Sequence, residues 1–301
     1  MIGQTMKQRR RTAVLAGTAL VLACLVSAPD ASAASIGCNS ASGAVPRGDC
    51  GPFKQIFTDG FDTTVPLGSF SSCAGDGDFR CAGLKTRYPA VYAAWGAYPR
   101  GWYDTAHPSN HSNGNGRTHG GEYRADDTVS VVRQSNGDGQ MRVRMYRPAA
   151  GGDNHVAALV PRACMNLRYG KFTERLIVRT RTDGYKMAHL RYSPDEVDYP
   201  EAGGNFKSDP VSWFTHGFSE DGGDVAPGTA WTSWRTYSTE ITPSGVRFFL
   251  DGKLVGQTSG DFPEATPWVL QNESSLSGGY AAPGSSVAVD STWVSCYRYA
   301  P

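Results

Sequence analysis

The sequence has almost no excess charge of either sign, since 29 Lys and Arg residues face 28 Asp and Glu and leave a formal net charge of +1. This balance gives no electrostatic reason to expect a nucleic acid or an anionic membrane as a partner. The sequence also lacks helical periodicity of useful length, an internal repeat and any Cys-x-x-Cys pair. These absences argue against a helical bundle, a repeat protein and a cysteine metal centre.

The first 33 residues have the composition of an export signal. Lys7 and the arginines 9–11 precede the apolar run Thr12–Val26, and Ala31-Ser32-Ala33 has the form of a cleavage site. The apolar run is too short to span a bilayer comfortably. We therefore expect a secreted protein without membrane contact once the signal is removed. Lipid attachment at Cys24 and twin-arginine export stay open as alternatives.

Removal of the signal takes Cys24 with it and leaves six of the seven cysteines. An even number of cysteines in an exported chain predicts a set of disulfides. Many pairings are possible in principle, and proximity in the sequence favours Cys38–Cys50 and Cys73–Cys81, which leaves Cys164 for Cys296. The competing interpretation, a metal cluster, lacks the usual ligand spacing.

Short strand patterns separated by turn signals run through the rest of the chain. Hairpin turns are indicated at Asn136-Gly137-Asp138-Gly139 and at Asp251-Gly252. Within Met141–Tyr146, apolar residues alternate with arginines, which predicts one buried face and one wet face. We therefore predict an all-β chain folded as an antiparallel β-sandwich or jelly roll. Residues 1–33 would be the signal peptide, 34–54 a disulfide-stapled segment and 55–301 one large β-domain.

A long stretch, residues 62–125, shows no strand pattern and is rich in aromatic residues. A loop of this length inside a compact domain is usually either functional or disordered. The Trp and Tyr content favours a function, because disordered segments are poor in these residues. Trp95 and Trp102 are the best candidates in this stretch for contact with a ligand, and a position in the core is the alternative for each.

Three carboxylates lie close together in Glu196-Val197-Asp198-Tyr199-Pro200-Glu201. Side chains alternate along a strand, so Glu196 and Asp198 share a face while Glu201 would point away. One extra residue, a β-bulge, would return Glu201 to the same face. Pro200 stands at the required position, and a bulge is one of the few places in a strand that tolerate proline. The stretch therefore predicts three acids on one face.

Three interpretations of this acid cluster differ in what they require. A solvated strand face would carry mixed charges, since like carboxylates close together cost free energy unless one is protonated. A calcium site is the second interpretation, because hard cations bind carboxylate oxygens. Glycoside hydrolysis is the third, and it needs two carboxyl groups that flank the scissile bond. The bulge favours the third interpretation.

The acid stretch resembles the E-x-D-x-x-E signature of glycoside hydrolase family 16. Phe57–Asp62 is similar to the opening strand of that family, and Tyr169–Arg175 is similar to its Tyr-Gly-x-Phe-Glu-x-Arg strand. Trp234–Lys253 and Val289–Val294 are similar to its hairpin segment and its closing strand. These similarities follow the order of the family along the chain, over residues 55–299.

The resemblance implies a concanavalin-like jelly roll whose concave sheet forms a polysaccharide cleft, and hydrolysis with retention. It implies that Glu196 is the nucleophile, that Glu201 is the general acid/base and that Asp198 hydrogen-bonds to Glu196. The bulged signature occurs in β-1,3-glucanases and galactan-cleaving enzymes of the family. No cofactor is required. Some members hold a structural calcium through the residue that matches Asp290, although Gly60, where many members carry Glu, argues against calcium in this chain.

Many β-1,3-glucanases of the family carry a Trp-Pro-x-x-Trp run just before the acids, and the corresponding stretch here, Gly184–Tyr192, has no Trp. Tyr185, His189 and Tyr192 are candidate sugar contacts, each with a packed strand position as the alternative, and His216 is a fourth. Aromatic faces suit sugars because they bury apolar C–H surface. No metal ligand is assigned.

We therefore expect a secreted, monomeric, retaining endo-glycosidase whose partner is a polysaccharide of the β-1,3-glucan or galactan type. A lectin on the same fold, a polysaccharide lyase and a transglycosylase are the alternatives. The sugar and its linkage do not follow from the sequence.

Overall fold

The computed structural model describes residues 43–110, 118–192, 194–277 and 279–301. The predicted export signal and Cys38 lie outside the described residues, and the boundaries proposed for the three segments stay predictions. Within the described ranges, no helix is long and apolar enough to cross a membrane.

The described part of the chain contains sixteen strands, two α-helices and three 3-10 helices. The strands are β1 (Phe53–Asp59), β2 (Trp95–Ala97), β3 (Gly121–Tyr123), β4 (Val129–Arg133), β5 (Gly139–Tyr146), β6 (Asn154–Pro161), β7 (Gly170–Val178), β8 (Tyr185–Tyr192), β9 (Glu196–Glu201), β10 (Val211–His216), β11 (Asp221–Ala226), β12 (Arg235–Thr242), β13 (Gly245–Leu250), β14 (Lys253–Ser259), β15 (Trp268–Ser274) and β16 (Ser286–Tyr299). The helices are α1 (Pro89–Ala94) and α2 (Ala125–Thr128), and the 3-10 helices span Ala82–Leu84, Arg162–Cys164 and Gly228–Thr232.

The strands follow the order β11-β10-β9-β8-β15-β6-β5-β16-β7-β12-β13-β14. Strand β6 joins the two halves of this order, because it pairs with β15 on one side and with β5 on the other. The ladders are antiparallel except for that of β3 with β6. The predicted antiparallel jelly-roll sandwich is confirmed.

The inner faces of the two halves enclose an apolar core. Strand β7 contributes Leu176 and Val178, and β8 and β15 contribute Met187 and Leu270 from the opposite side. Burial of one such side chain stabilises the fold by about 1.5–3 kcal/mol. The alternation predicted for β5 is present, since Met141, Met145 and the valine between them are buried.

Two strands, β6 and β11, lack the alternation of apolar and polar residues that is typical of a half-exposed strand. Strand β6 is an apolar run that is buried at nearly every position. Because it is covered on both faces, it lacks the polar alternation that marks a half-exposed strand. Strand β11 lies at one end of the strand order and consists of Asp221-Gly222-Gly223-Asp224-Val225-Ala226. Gly and Asp are depleted in strands, so no strand signal arises there.

The stretch 62–125, predicted to be irregular, contains α1, β2 and β3. It packs against the core through Val65, Phe70 and Leu84, which are all buried. Each regular element in it is three to six residues long. Elements this short produce no recognisable periodicity.

Two of the three predicted disulfides are present among the described residues. Cys73 pairs with Cys81, as sequence proximity favours, and Cys164 pairs with Cys296, the pair that remained. The third predicted pair includes Cys38. The Cys164–Cys296 bond ties the 3-10 helix that follows β6 to the last strand, β16.

We predict that C164A/C296A lowers the free energy of unfolding by about 2–5 kcal/mol, because this disulfide closes a long loop of the unfolded chain. Its sequence separation is 132 residues, against 8 for Cys73–Cys81. C73A/C81A is therefore the matched control with the smaller expected loss. Urea unfolding of the three proteins measures both effects, and an equal loss in the two variants would contradict the loop-closure explanation.

Candidate active site

Strand β9 carries the three acids and contains the predicted bulge. On β8, Leu190 pairs with Asp198 and Ala188 pairs with Glu201, so three steps along β9 match two steps along β8. The ladder with β10 shows the same shift in register. The extra residue falls at Tyr199–Pro200, between the last two acids. This bulge returns Glu201 to the face that carries the other acids.

We define the acid face as the side of this sheet that carries Lys186, Tyr192, Glu196, Asp198, Glu201, His216 and Glu273. The ladders place these residues together, because directly paired residues share a face of a sheet. Alternation along β8 sends Tyr185, Met187 and His189 to the opposite side, where the first two join the core between the sheets.

The acid face is open at the end that carries Glu196. Tyr192 on β8 and His216 on β10 both pair with Glu196, one from each side. Tyr192 is 51% exposed, and the side chain of His216 is 50% exposed. Glu196 itself is half-buried. A ligand approaching from solvent therefore meets these three side chains.

At the other end of the acid face, Thr105 and Tyr123 contact Glu273. Glu273 on β15 is fully buried there, and Glu201 is only 9% exposed. The Thr105 hydroxyl donates a 2.5 Å hydrogen bond to Glu273 Oε2, and the Tyr123 hydroxyl donates to Oε1. The two glutamates of the acid stretch thus lie in different surroundings, Glu196 near solvent and Glu201 in the interior.

Burial is the largest influence on the carboxyl of Glu201 and raises its pKa. The positive charges of Lys186 and His216 oppose this shift, and the negative charge of Glu196 adds to it. The net result is a raised pKa. A carboxyl group with a raised pKa retains its proton closer to neutral pH, which is the property a general acid needs.

Asp198 lies between the two glutamates and is almost completely buried. Burial, followed by the charges of Glu201 and Glu196, raises the pKa of Asp198 well above its usual range. Its side chain hydrogen-bonds to Glu196, and its Oδ2 lies 3.7 Å from Nε2 of His216. A protonated Asp198 can donate this hydrogen bond to Glu196 and so stabilise a negative charge there.

No protein-family model and no curated protein matches the sequence, whereas many solved structures match the fold. The laminarinase from Rhodothermus marinus has a TM-score of 0.56 at 19% identity, over 83% of this chain and 98% of its own. A non-specific endo-β-1,3(4)-glucanase from family GH16 has a TM-score of 0.54 at 16% identity, over 85% of this chain and 93% of its own. A variant of LamA from Z. galactanivorans, in complex with laminaritriose and laminaritetraose, has a TM-score of 0.54 at 17% identity, over 81% of this chain and 98% of its own. This chain has the fold of the family 16 glucanases.

Three of the predicted sugar contacts are exposed on this family 16 fold. Tyr192 and His216 lie on the acid face beside Glu196. Trp102 is 42% exposed and packs edge-on against Tyr98, with 5.5 Å between the ring centroids. The Tyr98 side chain in turn hydrogen-bonds to Gln271 of β15. These side chains have free surface to offer a ligand.

The other three predicted contacts require correction, because they lie in the interior. Trp95 is fully buried, and its indole N–H donates a 2.7 Å hydrogen bond to Asp59. Tyr185 is also fully buried in the core. Nδ1 of His189 lies 2.6 Å from a carboxylate oxygen of Glu174 on the facing strand β7. None of these rings has an exposed face, so we remove them from the set of sugar contacts.

Two charged residues of the acid face, Lys186 and Glu273, are absent from the sequence prediction. Lys186 Nζ lies 3.2 Å from Glu273 Oε2, and both side chains are buried. The alternation of β8 offers a signal for Lys186, because it shares the parity of Tyr192. Glu273 gives no such signal, since it reaches the site from β15, a strand distant in the sequence.

The calcium site that the family resemblance allows does not fit the residues present. Asp290 is fully buried, and both of its carboxylate oxygens accept hydrogen bonds from Arg142, at 2.8 Å each. Arg179 and Gln140 donate to the same carboxylate. Two guanidinium groups thus occupy the side chain that would bind the ion. Within the described ranges, no cluster of three His, Cys, Asp or Glu side chains could hold a metal ion.

We predict that Asp198→Asn stabilises the folded protein at neutral pH. A carboxyl whose pKa is higher in the folded than in the unfolded state destabilises the fold once the pH exceeds the unfolded value of about 3.9. The gain should therefore be small near pH 4 and should grow to the order of 1 kcal/mol at pH 7. Melting temperatures at the two pH values measure it, and a gain that is independent of pH would contradict the assignment.

Proposed function

We propose that this protein is a secreted, retaining endo-glycosidase that hydrolyses a β-linked polysaccharide, in the first place a β-1,3-glucan and in the second a β-galactan. The observation that supports the proposal most strongly is the bulge in β9, which gathers Glu196, Asp198 and Glu201 on one face. The contrast between a solvent-near Glu196 and an interior Glu201 suits the two different roles that double displacement requires.

In the first step, the carboxylate of Glu196 attacks the anomeric carbon and forms a glycosyl ester. The bond from that carbon to the leaving oxygen breaks, and Glu201 donates its proton to this oxygen. The raised pKa of Glu201 keeps the required proton on the group. Asp198, through its hydrogen bond to Glu196, stabilises the carboxylate before attack and when it leaves again.

In the second step, water replaces the leaving group. Glu201, now ionised, takes a proton from this water as its oxygen attacks the anomeric carbon. The ester bond to Glu196 breaks, and the carboxylate is restored. Two displacements at the same carbon return the original anomeric configuration.

The class of substrate is supported by two kinds of observation. The exposed rings of Tyr192 and Trp102 offer surfaces on which a sugar ring can stack. Solved structures with this fold include a laminarinase and an endo-β-1,3(4)-glucanase.

Disulfides, which persist mainly in oxidising compartments, support secretion. The proposal includes no cofactor and a monomeric state.

We predict that Glu196→Gln and Glu201→Gln each lower the rate on a β-1,3-glucan by at least about 1,000-fold, while both variants stay folded. A dinitrophenyl glycoside separates the roles, because its leaving group needs no proton. Glu201→Gln should release dinitrophenol in a burst and then stall, whereas Glu196→Gln should release none. A burst from Glu196→Gln, or near wild-type hydrolysis by either variant, would contradict the assignment.

Product analysis of the wild-type protein on a panel of β-glucans and β-galactans separates the alternative activities. New reducing ends with each cleavage support hydrolysis. Binding without new reducing ends indicates a lectin, and products longer than the substrate indicate a transglycosylase. Products that absorb as unsaturated sugars indicate a lyase.

We predict that Tyr192→Ala and Trp102→Ala raise KM for the polysaccharide by about tenfold each, which corresponds to about 1.4 kcal/mol of binding. The value of kcat should change less, because neither ring transfers a proton or forms a bond in the two steps. Trp234→Ala is the matched control, since Trp234 lies beside Arg179 just before β12, in the other half of the strand order. Equal KM values for all four proteins would remove both rings from the substrate site.

A further inference from the structure

We propose that Lys186, clamped by Glu273, is a positioning residue of the acid face that holds a fixed positive charge beside the carboxyls of Glu201 and Asp198. The inference rests on the proposed function, in which Glu201 exchanges a proton in both steps. Neither Lys186 nor Glu273 belongs to the acid signature, and the mechanism above assigns them no part.

The sheet register brings Lys186 to Glu201. Ala188 pairs directly with Glu201 across the β8–β9 ladder. Lys186 lies two residues away on the same face of β8, which makes it the diagonal neighbour of Glu201, within reach of a long side chain. On its other side, Lys186 pairs directly with Glu273 across the β8–β15 ladder. The lysine therefore lies between the acid stretch and Glu273.

Glu273 holds the ammonium group in place. The Lys186 and Glu273 side chains are buried, with Nζ and Oε2 3.2 Å apart. The position of the Glu273 carboxylate is fixed, because it also accepts hydrogen bonds from Thr105 and Tyr123. Removal of one partner from a buried ion pair is costly, so the pair fixes both side chains.

The charged groups that act on Glu201 come from four strands: Glu196 and Asp198 on β9, His216 on β10, Lys186 on β8 and Glu273 on β15. Three of these five carry or can carry negative charge. His216 is half-exposed, so solvent screens its charge. Lys186 is buried, and its charge acts at close to full strength.

The ammonium of Lys186 stays protonated in this position. Burial acts to lower the pKa of Lys186, but the charges of Glu273, Glu201 and Asp198 outweigh burial and raise it above its ordinary value. Lys186 in turn opposes the effect of burial on Glu201. Without such a charge, the pKa of Glu201 would be higher still, and the group would ionise less readily in the first step.

The test uses Lys186→Met, Glu273→Gln and the double variant K186M/E273Q. The titration of the Glu201 carboxyl is followed by carbon-13 NMR of the glutamate-labelled mature protein, and the signal is identified by its loss in Glu201→Gln. Lys186→Met should raise the pKa of Glu201 by on the order of one unit. Glu273→Gln, which leaves the lysine without its counter-charge, should lower it. The double variant should lie near the wild type.

The two opposite signs distinguish a charge effect from a packing effect, which would move both variants in one direction. Lys54→Met is the matched control, because it breaks the exposed pair with Asp49 that Lys54 forms from β1, outside the acid face, and it should leave the titration unchanged. An unchanged pKa in both single variants, or shifts of the same sign, would overturn the proposal. If Lys186→Met fails to fold, the pKa of Glu201 in Glu273→Gln and in the double variant tests the proposal, since the double variant leaves no unpaired charge.

Kinetics give a second readout that separates this proposal from the proposed function. The alkaline limb of kcat/KM should move to higher pH in Lys186→Met and to lower pH in Glu273→Gln, with KM little changed. A wild-type protein that cleaves no glycan would count against the proposed function. The NMR titration would still decide the role of Lys186 in that case.

Discussion

The acid site depends on the alternation of side chains along a β-strand. In a regular strand, Glu201 would face the core, where a carboxyl without a partner is costly. The bulge at Tyr199–Pro200 shifts the register against both neighbouring strands and turns Glu201 to the side of Glu196 and Asp198. The same register places Lys186 next to the acids and sends His189 into the core. One extra residue therefore determines whether Glu201 joins the acid face or the core.

Unequal burial gives these carboxyls different properties. The end near Glu196 is bordered by exposed Tyr192 and His216, whereas Glu201 is buried near Glu273, which accepts hydrogen bonds from Thr105 and Tyr123. Burial favours a protonated carboxyl and raises the pKa of Glu201. Thr105 and Tyr123 hold Glu273, one of the charges that act on Glu201, although they supply none of the three acids.

The sequence was informative where local chemistry determines the structure. Alternation in β5, the Asp251-Gly252 turn, the Cys73–Cys81 disulfide and the bulge in β9 could all be predicted, because each depends on residues close together in the sequence. The side of the sheet on which Tyr185 and His189 lie could not be predicted. Their aromatic character does not reveal the register of β8 against β9. Trp95 was ambiguous because its hydrogen bond to Asp59 is a tertiary contact. Glu273 was missed for the same reason.

The most direct test of the account is the anomeric configuration of the first product, followed by proton NMR while a β-glucan is being cleaved. Retaining glycosidases, whose two catalytic carboxyls lie roughly 5–5.5 Å apart, act by double displacement and keep the anomeric configuration. We expect the β-anomer to appear first and the α-anomer to form later by mutarotation. Appearance of the α-anomer first would show single displacement and contradict the roles given to Glu196 and Glu201.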